Sequence, residues 1–82
     1  MNYYVYLIVS KIKKKTISYV GYTNNLRKRI KYHNSNKGAK FTKGKKWKLV
    51  YYEIYDSKIE AMKKEYSLKK NYYLRNKLKR LK

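Results

Sequence analysis

Arg29 and His33 stand one helical turn apart in the run NNLRKRIKYHN, which follows directly on two tyrosine-punctuated strand-like runs, YYVYLIV and TISYVGYT. A guanidinium offers a planar fork of donors that fits a phosphate, and an imidazole moves protons near neutral pH. Glu65 falls inside the apolar stripe of a later helical segment, between Ala61 and Leu68, rather than on its outer face with Lys63 and Ser67. A carboxylate there could hold a hard divalent cation, Mg2+ or Mn2+, with water and phosphate oxygens filling the other positions. Together these groups suit hydrolysis of a phosphate ester. Taken singly, each has an ordinary use as well. A tyrosine fills a core, Arg29 is a solvated cation, His33 packs, and Glu65 pairs with Lys69 at i,i+4 for ~0.2–0.5 kcal/mol.

The elements that must position these groups can be read from period and punctuation. Tyr3 to Val9 is continuously apolar with β-branched and aromatic residues, which predicts a strand covered on both faces. SKIKKK reads as an exposed connection to a second strand, Thr16 to Tyr22, paired with the first as an antiparallel hairpin. Gly21 marks the strand's end or a close backbone approach, and Thr23 or Asn24 caps a helix over about Asn24 to Asn34. That helix carries Leu26, Ile30 and His33 as a stripe, with Arg29 beside it and Arg27, Lys28 and Lys31 turned outward. SNKGAKFTKGKK has no period and predicts a loop, after which Trp47 to Tyr55 forms the third strand, with Trp47 in the core. Ser57 and Glu60 make a capping box for a helix that runs to about Lys70 and buries Ala61, Met62, Leu68 and Tyr72. Tyr73, Leu74, Leu78 and Leu81 then space a short terminal helix. The expected fold class is α/β in the α+β sense: a small three-stranded mixed sheet with flanking helices on both faces, ordered ββαβα plus a C-terminal helix.

A chain of 82 residues buries only ~60% of its unfolded surface, so one core and one domain, 1–82, are expected. It has no cysteine, which removes disulfides and thiolate zinc sites. Its 24 Lys and Arg face four Asp and Glu, a net charge of +20. A polyanion would relieve that self-repulsion and release counterions, and nucleic acid is the obvious one. A lysine-heavy compositional bias of the source would raise the charge without a specific partner. In the loop, Lys40, Lys43, Lys45 and Lys46 would meet phosphates, joined by Arg27 and Lys28 from the helix, while Phe41 or Trp47 could stack on a base. No apolar run approaches the ~20 residues of a membrane span, and MNYYVYLIVS lacks the pattern of a signal peptide. The expectation is a cytoplasmic, nucleic-acid-associated protein with no membrane partner.

In order, Tyr4-Val5-Tyr6, Tyr19-Val20-Gly21, Arg29, His33 and a helical Glu65 resemble the GIY-YIG nuclease family. The runs YVGYTNNLRKRIKYHN, GAKFT, LVYYE and EAMKKEYSLKK are most similar to its small stand-alone bacterial members, over nearly the whole chain up to about Lys70. Tyr4 stands where the first motif has glycine and Val20 where the second has isoleucine. The late asparagine of many members has no clear match in Asn71 or Asn76. The resemblance implies one divalent ion, Mg2+ or Mn2+, on Glu65, with Tyr6 and Tyr19 as motif tyrosines, Arg29 on the phosphate and His33 one turn beyond. Tyr6 would act as base if Arg29 and the metal pull its pKa down from ~10, with Tyr19 orienting water or phosphate and His33 assisting. The implied function is metal-dependent endonucleolytic hydrolysis of DNA, duplex or branched, in repair or recombination, with a protein partner supplying specificity. The alternatives are a non-catalytic basic nucleic-acid-binding module with the same fold and a basic component of a ribonucleoprotein.

Overall fold

Strand β1, Tyr3–Ile12, is apolar on both of its faces and can satisfy that pattern only at the centre of a covered sheet. The computed structural model, which describes residues 2–37 and 40–80, places it there, in a sheet ordered β2-β1-β3. Strand β2, Lys15–Thr23, pairs antiparallel with β1 from Tyr4 opposite Thr23 to Ile12 opposite Lys15. The basic connection is therefore mostly strand. Only Lys13 and Lys14 turn the chain, Lys13 with a left-handed φ of 57° that matches a tight hairpin.

Strand β3, Lys48–Tyr55, occupies the other edge of β1 and is also antiparallel to it, so the sheet is antiparallel throughout and not mixed. The cause lies in the connection. β2 ends opposite Tyr4 while β3 begins opposite Val9, so helix α1, Leu26–Asn34, and the following loop carry the chain to the far end of the sheet. From there β3 has to run back against β1.

The two faces of β1 take different partners. Val5, Leu7 and Val9 pack with Val20, with Ala61 and Leu68 of α2 (Lys58–Lys70) and with Leu78 of α3 (Tyr72–Lys79). Tyr6 and Ile8 face the other way, against Trp47, Tyr19, Leu49 and the α1 residues Leu26 and Ile30. The expected helices on both faces are present. Asn25, one residue later than expected, caps α1 by accepting from the Lys28 amide at 3.1 Å, because Thr23 is still in the ladder and accepts from the Asn25 amide. Ser57 caps α2 through the Glu60 amide as expected.

Two residues assigned to the α2 stripe lie outside it. Met62 is 44% and Tyr72 68% exposed. Met62 is about 100° around the helix from Ala61 and misses the Ala61–Leu68 line. Asn71 ends α2 and, through its side chain, caps α3, so the phase restarts: Leu74 and Leu78 turn inward, while Tyr72 and Tyr73 face solvent. Leu81, and Gly38 and Ala39 of the GAKFT run, lie outside the described residues. The loop before β3 holds one 3-10 turn, Lys40–Thr42. No described helix is long and apolar enough to cross a membrane.

Leu68→Ala, which opens a cavity between α2 and β1, should cost about 2–5 kcal/mol in urea unfolding, against about 0.5 kcal/mol or less for Met62→Ala. Equal losses would return Met62 to the core.

Candidate active site

A polar cleft of about 430 Å³ opens beside β2, lined by Tyr6, Tyr19, Gly21, Arg29, Lys58 and Glu65 among others. Each of the four motif groups comes from a different element: Tyr6 from β1, Tyr19 from β2, Arg29 from α1 and Glu65 from α2. These helices cover opposite faces of the sheet, and β2 is an edge strand. The site therefore reaches around the edge, at the one β2 position without a side chain.

That position is Gly21, directly opposite Tyr6 in the ladder. A Cβ there would stand 2.7 Å from Cζ of the Tyr6 ring, so glycine is required for the ring to lie across the backbone. Behind the cleft, the Tyr6 hydroxyl and His33 Nε2 are hydrogen-bonded at 2.8 Å, and His33 Nδ1 and Thr42 Oγ1 at 2.9 Å. Trp47 Nε1 donates to the Thr42 carbonyl at 2.9 Å, and Asn34 braces Trp47 by accepting from its amide and donating to its carbonyl. Tyr6, His33 and Thr42 are all buried. His33 is thus not a wall of the cleft but sits behind Tyr6 and orients it. Tyr19 makes ring contacts with His33, Phe41 and Trp47.

Sequence comparison agrees with this arrangement, since the family model of the GIY-YIG catalytic domain matches residues 2–79. The chain belongs to the GIY-YIG family. A UPF0213 protein of Clostridium perfringens is 51% identical over 71 residues, covering 85% of this chain and 72% of the relative. A UPF0213 protein of Staphylococcus haemolyticus is 46% identical over 69 residues, 83% of this chain and 80% of the relative. The solution NMR structure of the UPF0213 protein from Bacillus halodurans superposes with a TM-score of 0.52 at 40% identity, covering all of this chain and 86% of that one. Membership of the GIY-YIG family implies nuclease-type activity and a nucleic-acid substrate.

Within this GIY-YIG cleft, Arg29 by itself does not depress the Tyr6 hydroxyl. Burial above all, then the neighbouring Tyr19 and Glu65, push its hydroxyl pKa well up, and the pull of Arg29 is too small to reverse this. Burial, and secondarily Arg29, lowers His33 below the usual 6.5, so its imidazole is neutral and gives one donor and one acceptor to Tyr6 and Thr42.

Glu65 has a side chain 19% exposed and pairs with Lys69 at 3.3 Å. No group of three or more acid, histidine or cysteine side chains that could hold a metal occurs among the described residues. A hard cation would therefore take Glu65 from the protein and the rest of its oxygens from water and phosphate, a donor set that suits Mg2+ or Mn2+.

The basic residues expected to bind nucleic acid do not line the cleft, Arg29 apart. Arg27 lines a separate groove, and Lys28 joins Arg29 and Tyr32 at a small depression near the α1 N-terminus. Lys40, Lys43 and Lys46 are exposed, while Lys45 folds back to donate to the Phe41 carbonyl at 2.9 Å. The loop still adjoins the site, because the Phe41 ring stacks on Tyr19 at 6.1 Å. Neither Asn71, which caps α3, nor Asn76, beside Thr16 and Lys79, reaches the cleft. Lys58, Thr42 and Asn34 are the residues that reading the sequence misses. Thr42 had a signal in the GAKFT run, but no spacing rule ties it to His33.

Gly21→Ala should displace the Tyr6 ring and cost about 1–3 kcal/mol in chemical unfolding. The depressed pKa of His33 contributes stability that is complete above the ordinary value of 6.5 and is lost as pH falls toward the folded-state value, because the unfolded chain takes up the proton first. The melting temperature should therefore fall on acidification below pH ~6.5 more steeply than in His33→Gln; parallel profiles would contradict a neutral buried His33.

Proposed function

We propose that this GIY-YIG chain, 1–82 acting as one nuclease-like domain, is a divalent-metal-dependent endonuclease that hydrolyses DNA phosphodiester bonds. The observation that carries the reading is the convergence of Tyr6, Tyr19, Arg29 and Glu65, from four elements, on one polar cleft. Arg29 and Lys58 bind the phosphate of the scissile bond, Arg29 through its paired donors. Glu65 is the residue to hold Mg2+ or Mn2+, which when bound supplies charge for the developing phosphorane and a more acidic water. When His33 Nε2–H donates to the Tyr6 oxygen, Thr42 donates to Nδ1 and Tyr6 turns its own proton toward the cleft. Tyr6 then serves as hydrogen-bond donor to a phosphate oxygen or the attacking water. The base role passes to Tyr19, the cleft tyrosine whose hydroxyl is not held by His33. The net charge of +20 and the exposed lysines Lys40, Lys43 and Lys46 support a polyanionic substrate held over a wider surface than the cleft. Structure-specific cutting in repair or recombination, in the cytoplasm and with a protein partner adding specificity, is the finer form of this reading. The net charge of +20 serves equally one alternative, a non-catalytic nucleic-acid-binding module with the same fold.

Labelled duplex, single-stranded and branched DNA, incubated with Mg2+, Mn2+ or EDTA, decides between them. Cutting should require metal, fall at least about a hundredfold in Glu65→Ala and keep its DNA affinity in that variant. Tyr19→Phe should abolish cutting while DNA binding is kept, whereas Tyr6→Phe lowers the rate without abolishing it. Binding without cutting under every condition would leave the non-catalytic module. Charge reversal at Lys40, Lys43 and Lys46 should weaken binding and flatten its salt dependence by about one unit of slope for each phosphate no longer neutralised.

A further inference from the structure

A second and larger hollow, about 740 Å³, lies between α1 and β3. It exists because the nine-residue α1 covers only part of its sheet face, leaving Tyr52, 48% exposed, and Ile54 beyond its reach on β3. The floor is apolar, from Leu26, Ile30 and Leu49. Tyr4 and Tyr52 form an aromatic wall with ring centroids 6.1 Å apart and planes 55° apart, and Arg27 and Lys31 stand at the rim. Among the described residues, no acid lines it. Aromatic and apolar surface edged by two cations and the amides Asn24 and Asn25 fits a ligand that joins a flat apolar ring to a negative charge, as a nucleotide does. Asn24 lines both this groove and the polar cleft, so the two adjoin at the start of α1.

We infer that the groove is a subsite for one unpaired nucleotide of the DNA strand whose phosphate occupies the cleft. The base lies against Tyr52 and Tyr4, and its backbone passes Arg27 and Lys31. A paired base has both faces covered by its neighbours in the stack and cannot enter, so the substrate class is DNA with an unpaired nucleotide beside the scissile bond: an overhang, a flap or a branch point. The inference rests on the nucleic-acid reading of the cleft.

The test measures binding in EDTA, where no cutting occurs, to a blunt duplex and to the same duplex with a short single-stranded overhang bearing 2-aminopurine at its first unpaired position. The wild-type chain and Tyr52→Phe should prefer the overhang and quench its fluorescence. Tyr52→Ala should lose about tenfold of overhang affinity, keep its blunt-duplex affinity and melt as the wild type does. Lys31→Glu, on an exposed helical position, should weaken overhang binding more than duplex binding and serves if Tyr52→Ala does not fold. Equal losses on both DNAs, or quenching unchanged in Tyr52→Ala, would overturn the subsite and leave the groove to a different partner, such as an acidic peptide. Failure of the wild-type chain to bind either DNA would instead overturn the proposed function.

Discussion

A buried phenol must find a hydrogen-bond partner, and the one that Tyr6 finds in His33 ties the structure together. The Tyr6 ring comes from β1, the imidazole from α1 and the next link, Thr42, from the loop, so one polar line runs through an otherwise apolar layer. Leaving any of these groups unpaired at its depth would cost about 1–3 kcal/mol. The line has two further dependencies. Gly21 must be bare for the ring to cross β2, and Trp47 must hold the Thr42 carbonyl for the loop to stay down. A wall of the cleft, a helix and a basic loop thus share one constraint, which explains how a chain of 82 residues can present a defined cleft.

Charge is handled by a separate device. In a chain of +20, an acid attracts cations wherever it stands, and two of the four acids have distinct surroundings. Glu53, on β3, accepts from the hydroxyls of both Tyr51 and Tyr55 and lies 3.9 Å from Lys64 of α2. Those two tyrosine donors hold its carboxyl below the ordinary range, so it fastens the strand's tyrosines under the helix. Glu65, on the same helix as Lys64, pairs with the exposed Lys69 and lines the cleft. The exposed Lys69 contact contributes little to stability, so the carboxylate can exchange that partner for a cation at small cost.

The order of elements, the capping of α2 and the ordered motif are all legible in the sequence, because each rests on local rules. Continuous apolar character from Tyr3 to Val9 demands cover on both faces, and Ser57 with Glu60 writes its own helix start. Met62 and Tyr72 mislead for the same local reason. A stripe drawn from spacing alone takes neighbouring positions as one face of a continuous helix, whereas Met62 lies off the line and Asn71 ends the helix before Tyr72. The loop reads as irregular because glycine and lysine carry no period, yet Asn34, Asn36, Thr42 and Trp47 organise it through contacts that no period records.

The sequence by itself determined the family, the two-faced central strand and the identities of Tyr6, Tyr19, Arg29 and Glu65, since pattern and motif order are properties of the chain read along its length. Only the tertiary structure decided that His33 stands behind Tyr6, that burial outweighs Arg29 at the Tyr6 hydroxyl, and that Lys58 lines the cleft. It also decided that α1 is too short to cover Tyr52. The physical reason is common to all four. Desolvation and uncovered surface are sums over neighbours drawn from distant parts of the chain, and no stretch of sequence contains that sum until the elements have packed.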